Sequence, residues 1–143
     1  MTALLVDTSV VLKWFHDEGE SEVRESRAIL DAHTRGEVRL HVIDFALYEL
    51  GNVLLRGLGW SGPDVAGQLD DLVRLLGVPL AMTEEWNRRA ALLGAEKGLT
   101  FYDAAWAAAG AALGVPLVTG DRSLLAARLG ESPTSVVQRL LLP

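Results

Sequence analysis

Short apolar runs alternate with longer amphipathic stretches along the whole chain, and that alternation sets the fold class. Residues 3–6, Ala-Leu-Leu-Val, read as a short buried strand. Thr8 or Ser9 is placed to cap a helix over 9–16. A polar-faced helix is expected over 21–35, with Val23, Ala28, Ile29 and Ala32 on one stripe and Gly36 at its end. Residues 38–42 alternate apolar and polar positions, as a half-buried strand does. Asp44 is placed to cap a helix through Arg56, ahead of Gly57 and Gly59. Ser61-Gly-Pro-Asp64 is a helix start, and that helix stops at Gly77. Residues 78–81 predict a third strand. Thr83 opens a helix to Lys97, closed by Gly98, and Thr100 opens one to Leu113, closed by Gly114. Residues 115–118 predict a fourth strand, 121–129 a short helix and 135–137 a last edge strand. Strands alternating with helices imply an α/β fold whose parallel sheet is covered on both faces.

The 143 residues are half hydrophobic and 22% charged, which fits one globular domain over 1–143. No apolar run approaches the roughly 18 residues that span a bilayer. The N-terminus lacks a basic region before its apolar stretch, and Asp7 interrupts that stretch. With no cysteine in the chain, disulfides and thiolate metal sites are excluded. These features fit a cytoplasmic protein without a membrane partner. The net charge of −6 argues against a basic surface that grips duplex nucleic acid. It leaves open an acidic site whose metal ions meet the phosphate.

Four acids stand where carboxylates are costly. Asp7 ends ALLVD, Glu49 lies in FALYELGNVLL, Asp103 in TFYDAAWAAAGAAL, and Asp121 ends VPLVTGD. An ionised carboxylate beside a core costs several kcal/mol unless something compensates it. Few cations lie near these positions, so a divalent ion is the natural counter-charge, and acids around Mg²⁺ or Mn²⁺ suit phosphodiester chemistry. Asp7 and Asp121 each follow a strand, where ligands bind in open parallel sheets; helix capping is the plainer role for both. Glu49, Asn52 and Arg56 share a stripe off the main apolar face of their helix, which fits a polar cleft or a solvated face. Asp103 starts a helix with no other charge, favourable to the helix dipole and held rigidly by Ala and Gly packing. His16, His33 and His41 have no ligand spacing and read as surface residues, so zinc is not supported.

Taken together, Val-Asp7-Thr-Ser-Val, Tyr-Glu49-Leu-Gly-Asn-Val-Leu, Thr-Phe-Tyr-Asp103-Ala-Ala and Leu-Val-Thr-Gly-Asp121-Arg-Ser-Leu resemble a PIN-domain ribonuclease, most of all the VapC toxins of toxin–antitoxin pairs. The resemblance covers essentially the whole chain. The family's acidic quartet falls on Asp7, Glu49, Asp103 and Asp121. Thr119 matches its hydroxyl position in the last motif, and Ser9 a small polar residue after the first acid. Gly120 stands where the family often has Ala, and Lys13-Trp14 occurs in only some members. The resemblance implies a three-layer α/β/α sandwich with a short, mainly parallel sheet. It implies Mg²⁺ or Mn²⁺ dependence, endonucleolytic cleavage of single-stranded or looped RNA, a homodimer and a cognate antitoxin.

In that setting Asp7 and Asp103 would hold the ion, Glu49 and Asp121 would complete the ring, and Thr119 or Ser9 would orient water or phosphate. Four acids without a metal repel one another, so at least one is expected to hold its proton unusually well. Arg56, Arg88 and Arg122 are candidate RNA contacts. Two rival readings fit less well. A haloacid-dehalogenase-like phosphatase needs a second Asp two residues after the first, and position 9 is Ser. A non-catalytic PIN-like binding module has no need of all four acids. Mean hydropathy is +0.23, and Trp14, Trp60 and Trp86 are not all expected in the core. Some apolar surface is therefore expected to meet a second copy or the antitoxin.

Overall fold

The computed structural model describes residues 1–143. Strand β1 (Thr2–Val6) lies between β2 (Val38–His41) and β3 (Leu117–Val118), in the order β2-β1-β3. Both pairings are parallel, with Leu4 opposite Leu40 and Val6 opposite Val118. Between β1 and β2 run helices α1 (Thr8–Phe15) and α2 (Val23–Thr34). Between β2 and β3 run α3 (Phe45–Asn52), α4 (Gly62–Leu76), α5 (Glu84–Lys97) and α6 (Phe101–Leu113). Two short helices follow, α7 (Arg122–Ala126) and α8 (Pro133–Leu140). The first crossover steps one way along the sheet and the second steps back past β1. Right-handed crossovers in opposite directions put their helices on opposite faces, which gives the three layers. The mainly parallel α/β sandwich expected from the sequence is therefore the observed class.

The core is one apolar cluster built on the sheet, with Leu4, Leu5, Val6, Leu40, Val118, Val10, Ile29 and Leu50 among its buried members. Helix α6 is buried along Ala104–Gly110. Its Ala and Gly content permits that close seat: a Cβ on Gly110 would lie 3.1 Å from the carbonyl oxygen of Val115.

Several expected boundaries shift. Residues 78–81 form no strand; Leu80 makes one bridge to Ile43, through Leu80 N to Val42 O and Asp44 N to Leu80 O, both 2.8 Å. The strand expected over 115–118 shortens to two residues. Residues 135–137 lie in α8, whose start is fixed by Ser132 accepting from Ser135 N with Pro133 in the first turn. A Ser-Pro start outranks a three-residue β-like run. Asp44 makes no capping hydrogen bond. The helix expected through Arg56 ends as α at Asn52 and continues as a π-helical turn over Val53–Gly57, which breaks the expected Glu49–Asn52–Arg56 stripe. Asn52 and Arg56 are exposed. The histidines are half-buried rather than surface groups. The His33 ring accepts from Leu40 N and reaches Leu75 O at 2.8 Å, so it carries its proton on Nε2 and ties α2 to β2 and α4. No helix is long and apolar enough to cross a membrane.

Candidate active site

In an open parallel sheet the strand order reverses around a crevice at the carboxyl ends. Here that crevice lies beyond β1 and β3, and the chain delivers Asp7 and Thr119-Gly120-Asp121 to it. Helix α3 brings Glu49 and helix α6 brings Asp103. Asp7, Thr8, Ser9, Glu49, Asp103, Trp106 and Asp121 line one cleft of about 140 Å³. Four acids up to 114 positions apart in the chain are thus gathered at one place. A larger groove of about 770 Å³ lies between α2 and the C-terminal Leu142 and Pro143. Its charged residues are of both signs, and it holds none of the four acids.

Asp7 is the most constrained of the four, at 4% exposure. Its role as helix cap is real: Oδ1 accepts from Val10 N. The expected caps Thr8 and Ser9 are displaced by it. Ser9 Oγ donates to Asp7 Oδ1 at 2.5 Å and accepts from Gly120 N at 2.9 Å. Thr119 Oγ1 donates to Asp7 Oδ2 and accepts from Asp121 N at 2.9 Å. Each hydroxyl thus receives a backbone N–H and passes its own proton toward the carboxylate. Two relays of this kind weld the end of β1 to the turn after β3. Asp121 caps α7 by accepting from Leu124 N at 3.0 Å, leaving Oδ2 free of that role. Glu49 Oε1 accepts from Thr8 Oγ1 at 2.9 Å. Asp103 is not itself a cap; Thr100 caps α6 by accepting from Asp103 N. Capping and site roles therefore coexist at Asp7 and Asp121.

The electrostatics bind the four together. Burial pushes the Asp7 carboxyl up to about 6, against the pull of its Ser9 and Thr119 hydrogen bonds, with the charge of Asp121 adding to the rise. Burial raises Asp103 above the ordinary carboxylate value, and Asp121 raises it further. Burial also raises Glu49, with Asp103 contributing. Repulsion thus runs from Asp7 to Asp121, to Asp103, to Glu49.

Hard oxygen donors, a net negative ring and a desolvated anchor suit a hard divalent cation. No three Asp, Glu, His or Cys side chains lie close enough together to hold a metal ion as they stand. An open donor set fits an ion that keeps several of its waters, as Mg²⁺ does, and the cleft has room for a few, each about 30 Å³. It does not fit the closed N and S ligand sets of structural zinc.

Besides Thr8 and Trp106, which line the cleft, two residues packed beside it escape sequence reasoning. Lys13 is buried, forms an ion pair with Glu20 at 3.0 Å and packs its stem beneath Gly120. Its position four residues after Ser9 on α1 was the available signal. Gly130 is the other: a Cβ there would lie 2.7 Å from Thr119 Cγ2 and 3.1 Å from Leu117 O. Nothing in the sequence marks it, because the contact depends on Glu131 pairing with Val118. Gly130→Ala should destabilise the fold by about 1–3 kcal/mol. It should also disturb the acid cleft by pushing Thr119 away from Asp7. Gly120→Ala is the control, since its Cβ would meet Ser9 Oγ and Lys13 Cε at 3.4 and 3.5 Å, ordinary contacts. Thermal melts of the two variants check this; equal behaviour would contradict the packing argument. Of the arginines, Arg88 is paired with Glu84 and Glu85, whereas Arg122 is exposed beside Asp121.

The PIN domain family model matches residues 4–129, and the chain belongs to that family. Among individual proteins it is similar to the one named Exonuclease VapC9 of Pyrobaculum aerophilum, with 32% identity over 92 residues, 64% of this chain and 69% of the relative. The crystal structure of PAE2754 from Pyrobaculum aerophilum superposes with a TM-score of 0.72 at 24% identity, over 98% of this chain and 90% of that one. VapBC2 from Rickettsia felis, bound to a DNA fragment from its promoter, superposes with a TM-score of 0.63 at 14% identity, over 92% and 97%.

Proposed function

We propose that this chain is a divalent-metal-dependent nuclease, and more narrowly an endoribonuclease that cuts single-stranded or looped RNA as the toxin of a toxin–antitoxin pair. The observation that carries the reading is the convergence of Asp7, Glu49, Asp103 and Asp121 in one cleft. When bound, Mg²⁺ or Mn²⁺ would lower the pKa of a coordinated water and offset charge on the phosphate. Asp7 and Asp103 would hold the ion, with Asp121 and Glu49 completing the ring directly or through water. Ser9 and Thr119 keep both oxygens of Asp7 oriented. Gly120 N and Asp121 N are committed to those hydroxyls, so the turn after β3 cannot drift from β1. Thr8 fixes one oxygen of Glu49 and leaves the other for the cleft.

The similar Pyrobaculum protein is named an exonuclease, so the position of cutting needs its own test. A circular RNA has no ends and yields only to an endonuclease. The expected result is opening of the circle in Mg²⁺ or Mn²⁺, silence in EDTA, and silence from Asp7→Asn and Asp103→Asn. Cutting in EDTA, or unimpaired cutting by both variants, would overturn the reading; degradation of linear RNA alone would make it an exonuclease. An antitoxin partner is supported by likeness in fold to a chain of the VapBC2 structure. A second copy would suit exposed Val78 and Leu92. These apolar side chains are ones that a partner surface would cover.

A further inference from the structure

Both tyrosines of the chain immediately precede an acid of the cleft, Tyr48 before Glu49 and Tyr102 before Asp103. Both are well exposed, at 74% and 58%. Tyr102 meets Phe45 edge to face, with ring centroids 5.5 Å apart and planes at 62°. Phe45 meets Trp106 in the same manner, at 5.0 Å and 69°. Trp106 in turn forms a wall of the acid cleft. Tyr48 lies three residues after Phe45 on α3, on the same side of that helix. A path of ring contacts through Trp106, Phe45 and Tyr102 therefore leads from the acids outward to solvent, with Tyr48 exposed on the same side of α3 as Phe45.

We propose that this path is a base-stacking subsite for a single-stranded polynucleotide, with Tyr102 and Tyr48 receiving bases beside the phosphate at the acids. The proposal rests on the nuclease reading above. Net charge supplies no hold for this occupant, so the hold must be of another kind. A chain of net charge −6 with an acidic cleft has little electrostatic hold on a polyanion. Affinity must then come from contacts that ignore charge, and stacking on aromatic faces is such a contact. It also suits a strand with unpaired bases and not a duplex, whose bases are already stacked. Stacking is tolerant of sequence, so the subsite would position a strand without choosing its letters.

The test is fluorescence anisotropy with a fluorescein-labelled, random ten-nucleotide single-stranded RNA and the non-cutting Asp7→Asn chain, which also lacks one charge of the acid cleft. Tyr48→Ala and Tyr102→Ala are each expected to weaken binding by roughly tenfold or more. Tyr102→Phe keeps the ring and should bind like its parent. The salt dependence of binding should not change across the set, because no phosphate contact is lost. In the cutting chain, Tyr102→Ala should raise KM far more than it lowers kcat. Absence of binding by the parent, unchanged binding by both alanine variants, or loss in Tyr102→Phe equal to that in Tyr102→Ala would overturn the subsite. So would alanine variants that keep RNA binding but change the mass on size exclusion, which would make the face a protein interface. Tyrosine-dependent binding by a chain that never cuts would keep the subsite and refute the nuclease. Metal-dependent cutting indifferent to both tyrosines would do the reverse.

Discussion

Asp7→Asn is expected to abolish cleavage and, in the metal-free protein at pH 7.5, to raise the melting temperature. The carboxyl of Asp7 sits at about 6 in the fold, against 3.8 for the ordinary group, chiefly because it is buried. A folded value above the unfolded one means that the stability contributed by this group is fully present below about pH 4. It is lost as the pH rises through 6. At pH 7.5 the fold therefore carries a buried charge, at a cost of roughly 3 kcal/mol. Asparagine removes that charge and still caps α1, but one of the two hydroxyls that donate to Asp7 must turn elsewhere, at about 1 kcal/mol. The net gain of about 2 kcal/mol corresponds to a rise of roughly 4–8 °C. At pH 4 the gain should vanish, since wild-type Asp7 is then largely protonated. Cleavage should fall by at least about 100-fold, the loss seen when even the outer partners of a metal site are disturbed. Thermal melts at the two pH values, beside a rate measurement, check both halves. A variant less stable at pH 7.5 as well as inactive would mean that Asp7 is mainly a structural cap.

Mg²⁺ or Mn²⁺ should restore to the wild-type protein the stability that its buried, ionised Asp7 removes. An ion at 100 times its Kd stabilises the fold by about 2.7 kcal/mol. At pH 7.5 this amounts to a rise of roughly 5–10 °C, reversed by EDTA. The same pKa sets the pH window. Below about 6, protons compete with the ion for Asp7, and burial pushes Glu49 and Asp103 the same way. Each further unit of acid should weaken binding by about tenfold or more. At pH 5 the stabilisation by metal should be small, and in Asp7→Asn it should be small at any pH. Differential scanning fluorimetry over a pH and metal grid reads this directly. A shift of equal size at pH 5 and pH 7.5 would place the bound ion away from Asp7.

The parts of this protein written in local chemistry were legible in the sequence. Ser61, Thr83 and Thr100 cap the helices they were expected to cap. Gly77, Gly98 and Gly114 stand at the ends assigned to them, each at a positive φ. The four acids were legible for a different reason, since a carboxylate inside an apolar run is conspicuous wherever the chain later takes it. What local reading missed depends on distant partners. Leu80 and Glu131 look like strand or loop residues until Ile43 and Val118 supply their single bridges. The start of α8 resembles a strand because Val136 and Val137 stand out locally more than the Ser132-Pro133 start does. Its seat is set by Glu22, which accepts from the backbone and hydroxyl of Thr134 across 112 positions. Gly130 and Lys13 belong to the same class, because each matters only once the turn after β3 lies against α1.

The central claim is that Asp7 anchors a divalent ion among the other three acids. Calorimetric titration of Mn²⁺ into the metal-free protein at pH 6, in two buffers of different ionisation enthalpy, tests it most directly. The expected result is saturable binding with a heat that differs between the buffers, because the ion displaces part of a proton from Asp7. Asp7→Asn, folded by its melting curve, should then give no comparable binding. Binding of equal strength by that variant, or none by the wild type, would contradict the claim.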